Sequence, residues 1–328
     1  MGVADGLFGW RRSLVALQRL ALASVVVNVA IVVTGGAVRL TNSGLGCPTW
    51  PKCDGDSLIP TQRNAIHGLI EFGNRTFTFV LVVVAAATLL AAWSQRRSVG
   101  LALVAFLVIP TQAVVGGISV LTDLNPWVVS AHLLLSMANI AVTLCLWHAV
   151  ADRAGRPEAP PALRSLAWAT ATMAGTVLVL GTVVTGSGPH AGDLRHGRVH
   201  RTGLDPAGMA HLHADAVMVL IGLTAGLVFA TYLGDGTKRL RRPAWTLFGL
   251  ELGQGLIGFV QYFTHLPIVL VALHMLGACL VWLAAVEVVV QATERRLQQP
   301  AHRVDQHSDQ RADDGAVHPD ELQVPADL

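Results

Sequence analysis

Charge of either sign is scarce in this chain of 328 residues: Asp, Glu, Lys and Arg make up 13%, against 52% hydrophobic residues. The apolar residues gather in runs of about 20, the length that crosses a bilayer, so the composition excludes an ordinary soluble domain and points to an integral membrane protein. Such runs are too long for the strands of a membrane barrel, and each reads as a helix. The first run continues without a convincing small-residue cleavage site straight to Arg39, so Arg11 and Arg12 flank a helix and do not open a targeting signal. With a net charge of only +2 and no basic patch, nothing points to a nucleic-acid partner. Cysteines number four, and no second ligand pair accompanies Cys47 and Cys53, which argues against metal ligation by that pair.

Hydropathy places eight spans, at 21–38, 65–92, 99–121, 127–150, 162–185, 207–233, 243–264 and 267–290. Of the 23 Lys and Arg residues, 16 fall in the amino terminus, the loops near 93–98, 151–164 and 234–243, and the segment after 290. By the positive-inside rule those parts are cytoplasmic, both termini included, and the loops 39–64 and 186–206 lie outside. The expected organisation is a cytoplasmic amino terminus (1–20), a four-helix half (21–150), a linker (151–161), a second four-helix half (162–290) and a polar tail (291–328). The tail lacks apolar periodicity and reads as disordered, its His302, His307 and His318 as solvated.

An internal repeat supports the division. Val33-Thr34-Gly35-Gly36 recurs as Val184-Thr185-Gly186-Ser187, and GISVLTDLNP (117–126) aligns without gaps on GFVQYFTHLP (258–267). A histidine follows each proline, His132 in one half and His274 in the other. Four helices per half preserve orientation, so the expected fold is all-α, eight transmembrane helices as two bundles related by a pseudo-two-fold axis along the membrane normal.

Ionisable side chains inside a membrane are costly and mark functional candidates. In AIHGLIEFGNRTF, residues His67, Glu71 and Asn74 stack on one helical face with Arg75 beside them. The corresponding AGMAHLHADAV carries His211, His213 and Asp215; the repeat spacing favours His213 as the match to Asn74. His132, His213, His274 and Glu71 all lie within about two turns of the external ends of their helices. Histidines from different helices at one depth suit the axial ligation of a haem iron, and His213 with His274 form such a pair.

At these residues the chain resembles the haem A synthase family. The resemblance rests on the four-plus-four repeat, on the segment Gly35 to Cys53, which reads GG-x-x-R-L-T-x-S-G-L-G-C-P-x-W-P-x-C, on Glu71 and Arg75, and on the later histidines. It implies an enzyme that oxidises the C8 methyl group of haem O to the formyl group of haem A by successive hydroxylations. It further implies haem B on His213 and His274, and the substrate haem O near Glu71 and His132. The partners so implied are membrane lipid, an electron acceptor the sequence does not identify, and the haem O synthase that supplies the substrate. The family's common second helix reads E-x-x-H-R, whereas this chain has Asn74 at the histidine position. Two readings follow: a substrate haem five-coordinate on His132, or His67 as a replacement ligand.

Under that resemblance Glu71 is the catalytic candidate, as a carboxylate able to stabilise positive charge at the methyl carbon or to accept its proton. The plainer alternative is a structural ion pair with Arg75. Arg39 and Arg75 are candidates for the haem propionates, near the outer surface; Arg39 equally reads as an interfacial anchor. Cys47 and Cys53, on the oxidising side in a loop stiffened by Pro48 and Pro51, read as a disulfide that fixes a lid with Trp50 as its cover, or else as a redox relay. Cys145 and Cys279 read as apolar packing residues, His148 as interfacial, His190, His196 and His200 as loop decoration, and Glu251 and Gln254 as polar packing. His265 lies too near the surface to displace His274. A membrane b-type cytochrome that only transfers electrons is the competing function; a transporter is a third.

Overall fold

The computed structural model describes residues 3–53, 56–60, 65–151, 158–190, 192 and 200–293. Met1–Arg295 form one compact unit; Arg296–Leu328, together with the histidines expected there to be solvated, lie outside the described residues, as does His196. Eight α-helices make up the compact unit: α1 (Val3–Leu40), α2 (Ala65–Ser94), α3 (Val99–Leu121), α4 (Pro126–Val150), α5 (Pro161–Ser187), α6 (Pro206–Ala230), α7 (Arg241–Phe263) and α8 (Ile268–Thr293).

Local chemistry fixes several of these starts. Proline occupies the first turn of α4, α5 and α6, where its missing N–H costs nothing. Asn125 caps α4 by accepting from Trp127 N at 3.0 Å, and Asp205 caps α6 by accepting from Gly208 N at 2.7 Å. The α3–α4 and α7–α8 turns share one backbone form, two successive left-handed residues: Asp123 and Leu124 in the first, His265 and Leu266 in the second.

Seven of the eight helices are long and apolar enough to cross a membrane. The exception is α7, where Arg241, Arg242, Glu251, Gln254 and Gln261 dilute the apolar run. Helix α1 begins well before the expected 21, because its backbone satisfies itself beyond the apolar stretch; its apolar part is Ser13–Leu40. Large apolar side chains face outward, such as Phe79, Leu90, Phe229 and Phe259, as suits a lipid environment.

Helix α1 packs on α2 and α4, and α3 packs on α2 and α4; likewise α5 packs on α6 and α8, and α7 on α6 and α8. Between these sets, α4 meets α8, while α1 meets α8 and α4 meets α5. Trp282 of α8 lies at this junction and donates from Nε1 to the Met137 carbonyl of α4 at 2.8 Å. A buried polar ladder joins α1, α2 and α4: Asn139 Nδ2 donates to Asn28 Oδ1 at 2.9 Å, and Ser24 Oγ pairs with Thr88 Oγ1 at 3.1 Å.

The gapless match of 117–126 with 258–267 is one residue out of step with the structure. The left-handed turn residues, the helix starts at Pro126 and Ile268, and His132 and His274 stand at one constant spacing, one residue longer than that of the match. The prolines that suggested the alignment occupy different places, Pro126 inside α4 and Pro267 just before α8. Similarly, Val33–Gly36 lies one turn short of the end of α1, whereas Val184–Ser187 ends α5.

Candidate functional site

Three histidine rings lie against glycines of the preceding helix. A Cβ on Gly116 of α3 would stand 3.1 Å from Cε1 of His132 on α4; the corresponding distance is 3.3 Å from Gly181 of α5 to His213 of α6, and 3.3 Å from Gly258 of α7 to His274 of α8. Each imidazole thus occupies a slot that exists because the neighbouring helix lacks a side chain there. The fourth helix pair has the same construction with a different residue: Gly35 of α1 faces Asn74 of α2, whose Nδ2 lies 3.9 Å from the missing Cβ position. Adjacent Gly36 faces Met275 of α8, next to His274, so one turn of α1 looks toward both halves.

Among the described residues, the Nδ1 atoms of His132 and His274 are buried without a hydrogen-bond partner, and that of His213 faces the Val177 backbone without completing a bond. His213 and His274 lie close enough for the charge of one to act on the other. Buried polar atoms ordinarily find partners; with Nδ1 turned in and buried, Nε2 is the ring nitrogen that a metal centre would use. His211, by contrast, is exposed and turned to Tyr262, with ring centroids 6.4 Å apart.

Glutamines steady two of the ligand candidates. Gln112 of α3 donates from Nε2 to the His132 carbonyl at 3.2 Å, and Gln254 of α7 donates to the His274 carbonyl at 2.6 Å. Gln254 reaches that carbonyl over Gly277, where a Cβ would fall 2.0 Å from its Oε1. Sequence reading left Gln254 as polar packing and missed Gln112 and the glycines; the signal available was a Gln with a Gly one turn on, repeated in α3 and α7.

The loop Gly44–Cys53 covers the outer end of α2. Cys47 and Cys53 form a disulfide. Glu71, buried, accepts from Cys47 N at 2.7 Å through Oε2 and from Arg75 Nη2 at 2.6 Å and Nε at 3.1 Å through Oε1. Arg75 extends to the loop carbonyls of Cys47 at 3.0 Å, Thr49 at 3.2 Å and Lys52 at 3.3 Å. The pair therefore clamps the disulfide loop onto α2. Trp50 lies over Gly117 of α3, 2.4 Å from where a Cβ would stand, so the loop also reaches the adjoining helix. His67 gives Nδ1 to a 2.9 Å contact with Ser43 Oγ of the loop's root.

Arg39 turns to the other half, donating from Nε to the His190 carbonyl at 2.7 Å and from Nη2 to the Thr185 carbonyl at 2.9 Å. His190 in turn meets the Leu266 carbonyl at 3.0 Å, so it joins structural elements and is more than loop decoration. His148, expected at the interface, is buried and paired with Glu287 of α8; Cys279 is buried among apolar side chains. Glu251 is buried on α7 and accepts from Thr224 Oγ1 at 2.8 Å.

A family model described as COX15-CtaA, cytochrome oxidase assembly protein, matches residues 18–286. A Geobacillus kaustophilus protein named "Heme A synthase" is 35% identical over 106 residues, 31% of this chain and 32% of that protein. One of the same name from Exiguobacterium sibiricum is 32% identical over 144 residues, 42% of this chain and 48% of that protein. A Thermus thermophilus protein named "Protoheme IX farnesyltransferase" is 29% identical over 293 residues, 82% of this chain but 47% of that protein. The chain spans about a third to a half of the length of these curated relatives.

Proposed function

The chain belongs to the COX15-CtaA family of cytochrome oxidase assembly proteins, and on that premise we propose that it is a membrane oxidoreductase converting haem O to haem A. The C8 methyl group would be hydroxylated twice, each time in a two-electron oxidation whose electrons pass to an electron acceptor or to oxygen, and the geminal diol would lose water to leave the formyl group. The observation that carries this reading is the set of three imidazoles, on α4, α6 and α8, each seated against a glycine of the preceding helix. The names of the relatives from Geobacillus and Exiguobacterium support it.

His213 and His274 would hold haem B in the carboxy-terminal half, where that group supplies one-electron transfer. Haem O, the substrate, would sit on His132 in the amino-terminal half. Both sites lie near the outer face of eight membrane-crossing helices, with α7 counted among them and both termini cytoplasmic. The matching neighbour relations of α1–α4 and α5–α8, and the Gln112 and Gln254 bonds, support two halves related by a pseudo-two-fold axis.

Glu71 would be the catalytic residue. It stands one turn from Asn74 on the same face of α2, its charge fixed by Arg75 and the Cys47 N–H. A carboxylate held there would stabilise positive charge developing at the methyl carbon or take its proton. Arg39 and Arg75 already bond backbone carbonyls, so a propionate would share their remaining N–H groups. A haem O synthase is the proposed supplier, in keeping with the Thermus relative that carries the name of a protohaem farnesyltransferase over a longer chain.

The test is mass analysis of pigments copurifying with the protein, expressed with and without a source of haem O. Haem B together with haem A or its hydroxylated precursor is expected, and Glu71→Gln should abolish the oxidised products while haem B stays. Haem B alone in both conditions would leave a membrane b-type cytochrome; no haem at all would leave a transporter.

A further inference from the structure

Among the described residues, the four glycine-backed slots are alike except for the side chain that fills one of them. In α3/α4, α5/α6 and α7/α8 the glycine-backed position holds an imidazole; in α1/α2 it holds Asn74. Thr34 Oγ1 of α1 lies 2.8 Å from Asn74 Oδ1, its shorter contact, and 3.2 Å from the Ile31 carbonyl, so it engages one of the two lone pairs of the amide oxygen. The Nδ2 end then remains as a donor with no protein partner among the described residues. An amide nitrogen has no free lone pair to give a metal, so this slot cannot ligate as the other three can.

His67 does not replace the missing ligand. It lies seven residues before Asn74, about 10 Å along the helix toward its outer end. Its Nδ1 contacts Ser43 Oγ at 2.9 Å, which by itself leaves Nε2 able to ligate; what holds this turn away is Gly46, packed so closely on its backbone that a Cβ there would stand 2.4 Å from the His67 carbonyl oxygen. The turn carrying His67 therefore serves as the seat of the disulfide loop.

We propose that the amino-terminal half holds its haem through His132 alone, and that Asn74 Nδ2 faces the open side of the iron as a hydrogen-bond donor to a small ligand bound there. This rests on the haem O reading given above. The ligand class is water or a diatomic molecule carrying an acceptor atom, because the slot itself offers one amide donor, and the charges nearest it on α2, Glu71 and Arg75, are engaged with each other. The same comparison separates the halves by task. A haem between His213 and His274 has both axial places filled and suits electron transfer, whereas a haem with one place open admits exogenous ligands.

The experiment uses the full chain, coexpressed with a source of haem O, with the haem content per chain first established by extraction. Carbon monoxide is then titrated onto the dithionite-reduced protein and followed by optical difference spectroscopy. In the wild type, carbon monoxide should bind the amino-terminal haem and leave haem B untouched. Asn74→His should abolish that binding, with both haems retained and the spectrum turned to a low-spin bis-histidine form. His67→Ala should leave carbon monoxide binding as in the wild type. Absence of binding in the wild type with its appearance in His67→Ala would make His67 the second ligand and overturn the proposal. So would carbon monoxide binding that survives Asn74→His. A preparation in which haem B is the only haem would instead overturn the functional reading, and this one with it.

Discussion

At the scale of single residues, the outer end of α2 shows how few groups secure a long loop. Arg75 contacts Glu71 and three loop carbonyls with one guanidinium, a use of several fixed donors that lysine cannot reproduce. Glu71 answers with the Cys47 N–H. Arg75→Leu should cost about 2 kcal/mol, the scale of hydrogen bonds to a charged group. The thermal midpoint should fall, and dithiothreitol should reduce the Cys47–Cys53 disulfide faster than in the wild type. An unchanged reduction rate would mean that the loop is held by other contacts, Trp50 over Gly117 foremost among them. The sequence placed Glu71, Arg75 and both cysteines together as candidates. The Glu71–Arg75 pair and the disulfide were readable there, but the bonds from Glu71 and Arg75 to the loop backbone were not, since they depend on how the chain folds back from Cys47 to α2.

At the scale of elements, α7 and α8 interlock through two opposite exchanges. His274 of α8 enters the slot at Gly258 of α7, and Gln254 of α7 enters the slot at Gly277 of α8. Each helix thus supplies one bulky polar residue and one absence, and the two together fix both spacing and rotation. Close approach through small residues is how helices associate where no hydrophobic force separates protein from lipid. Gly277→Ala should expel the Gln254 amide, which lies at the end of a flexible side chain, so the stability cost should be modest, about the 1 kcal/mol of one hydrogen bond. Its effect on the site should be larger: with the His274 carbonyl released, the redox midpoint of the haem proposed on His274 should move, and Gln254→Leu should move it in the same direction. Unchanged midpoints in both variants would show that Gln254 merely packs.

At the scale of the whole molecule, the loops after α1 and α5 tie α1 to α5 and to the turn before α8. Arg39 reaches the Thr185 and His190 carbonyls, Gly44 N donates to the Gly192 carbonyl at 2.9 Å, and His190 meets Leu266. The positive-inside rule predicts that these contacts face the outside. In a chain with Ile59→Cys, a membrane-impermeant maleimide should therefore label intact cells, since Ile59 is exposed in the first loop. With Leu233→Cys, in the exposed turn after α6, labelling should require permeabilisation. The opposite pattern would invert the topology. The free cysteines give little background, Cys279 being buried and Cys145 lying within α4.

The sequence by itself determined the membrane class, the positions of the helices, the histidines worth considering and the disulfide pair. Those properties follow from runs of side chains along one element, and from local caps such as Asn125-Pro126 and Asp205-Pro206. Only the tertiary structure decided that Asn74 stands in the fourth of four matching slots, that Gln112 and Gln254 hold the histidine-bearing turns, and that the α3–α4 and α7–α8 turns correspond one residue out of step with the gapless match. The physical reason is that a slot is made by a missing Cβ on one helix and filled by a side chain from another. Neither chain segment records which partner it will meet until the helices are packed.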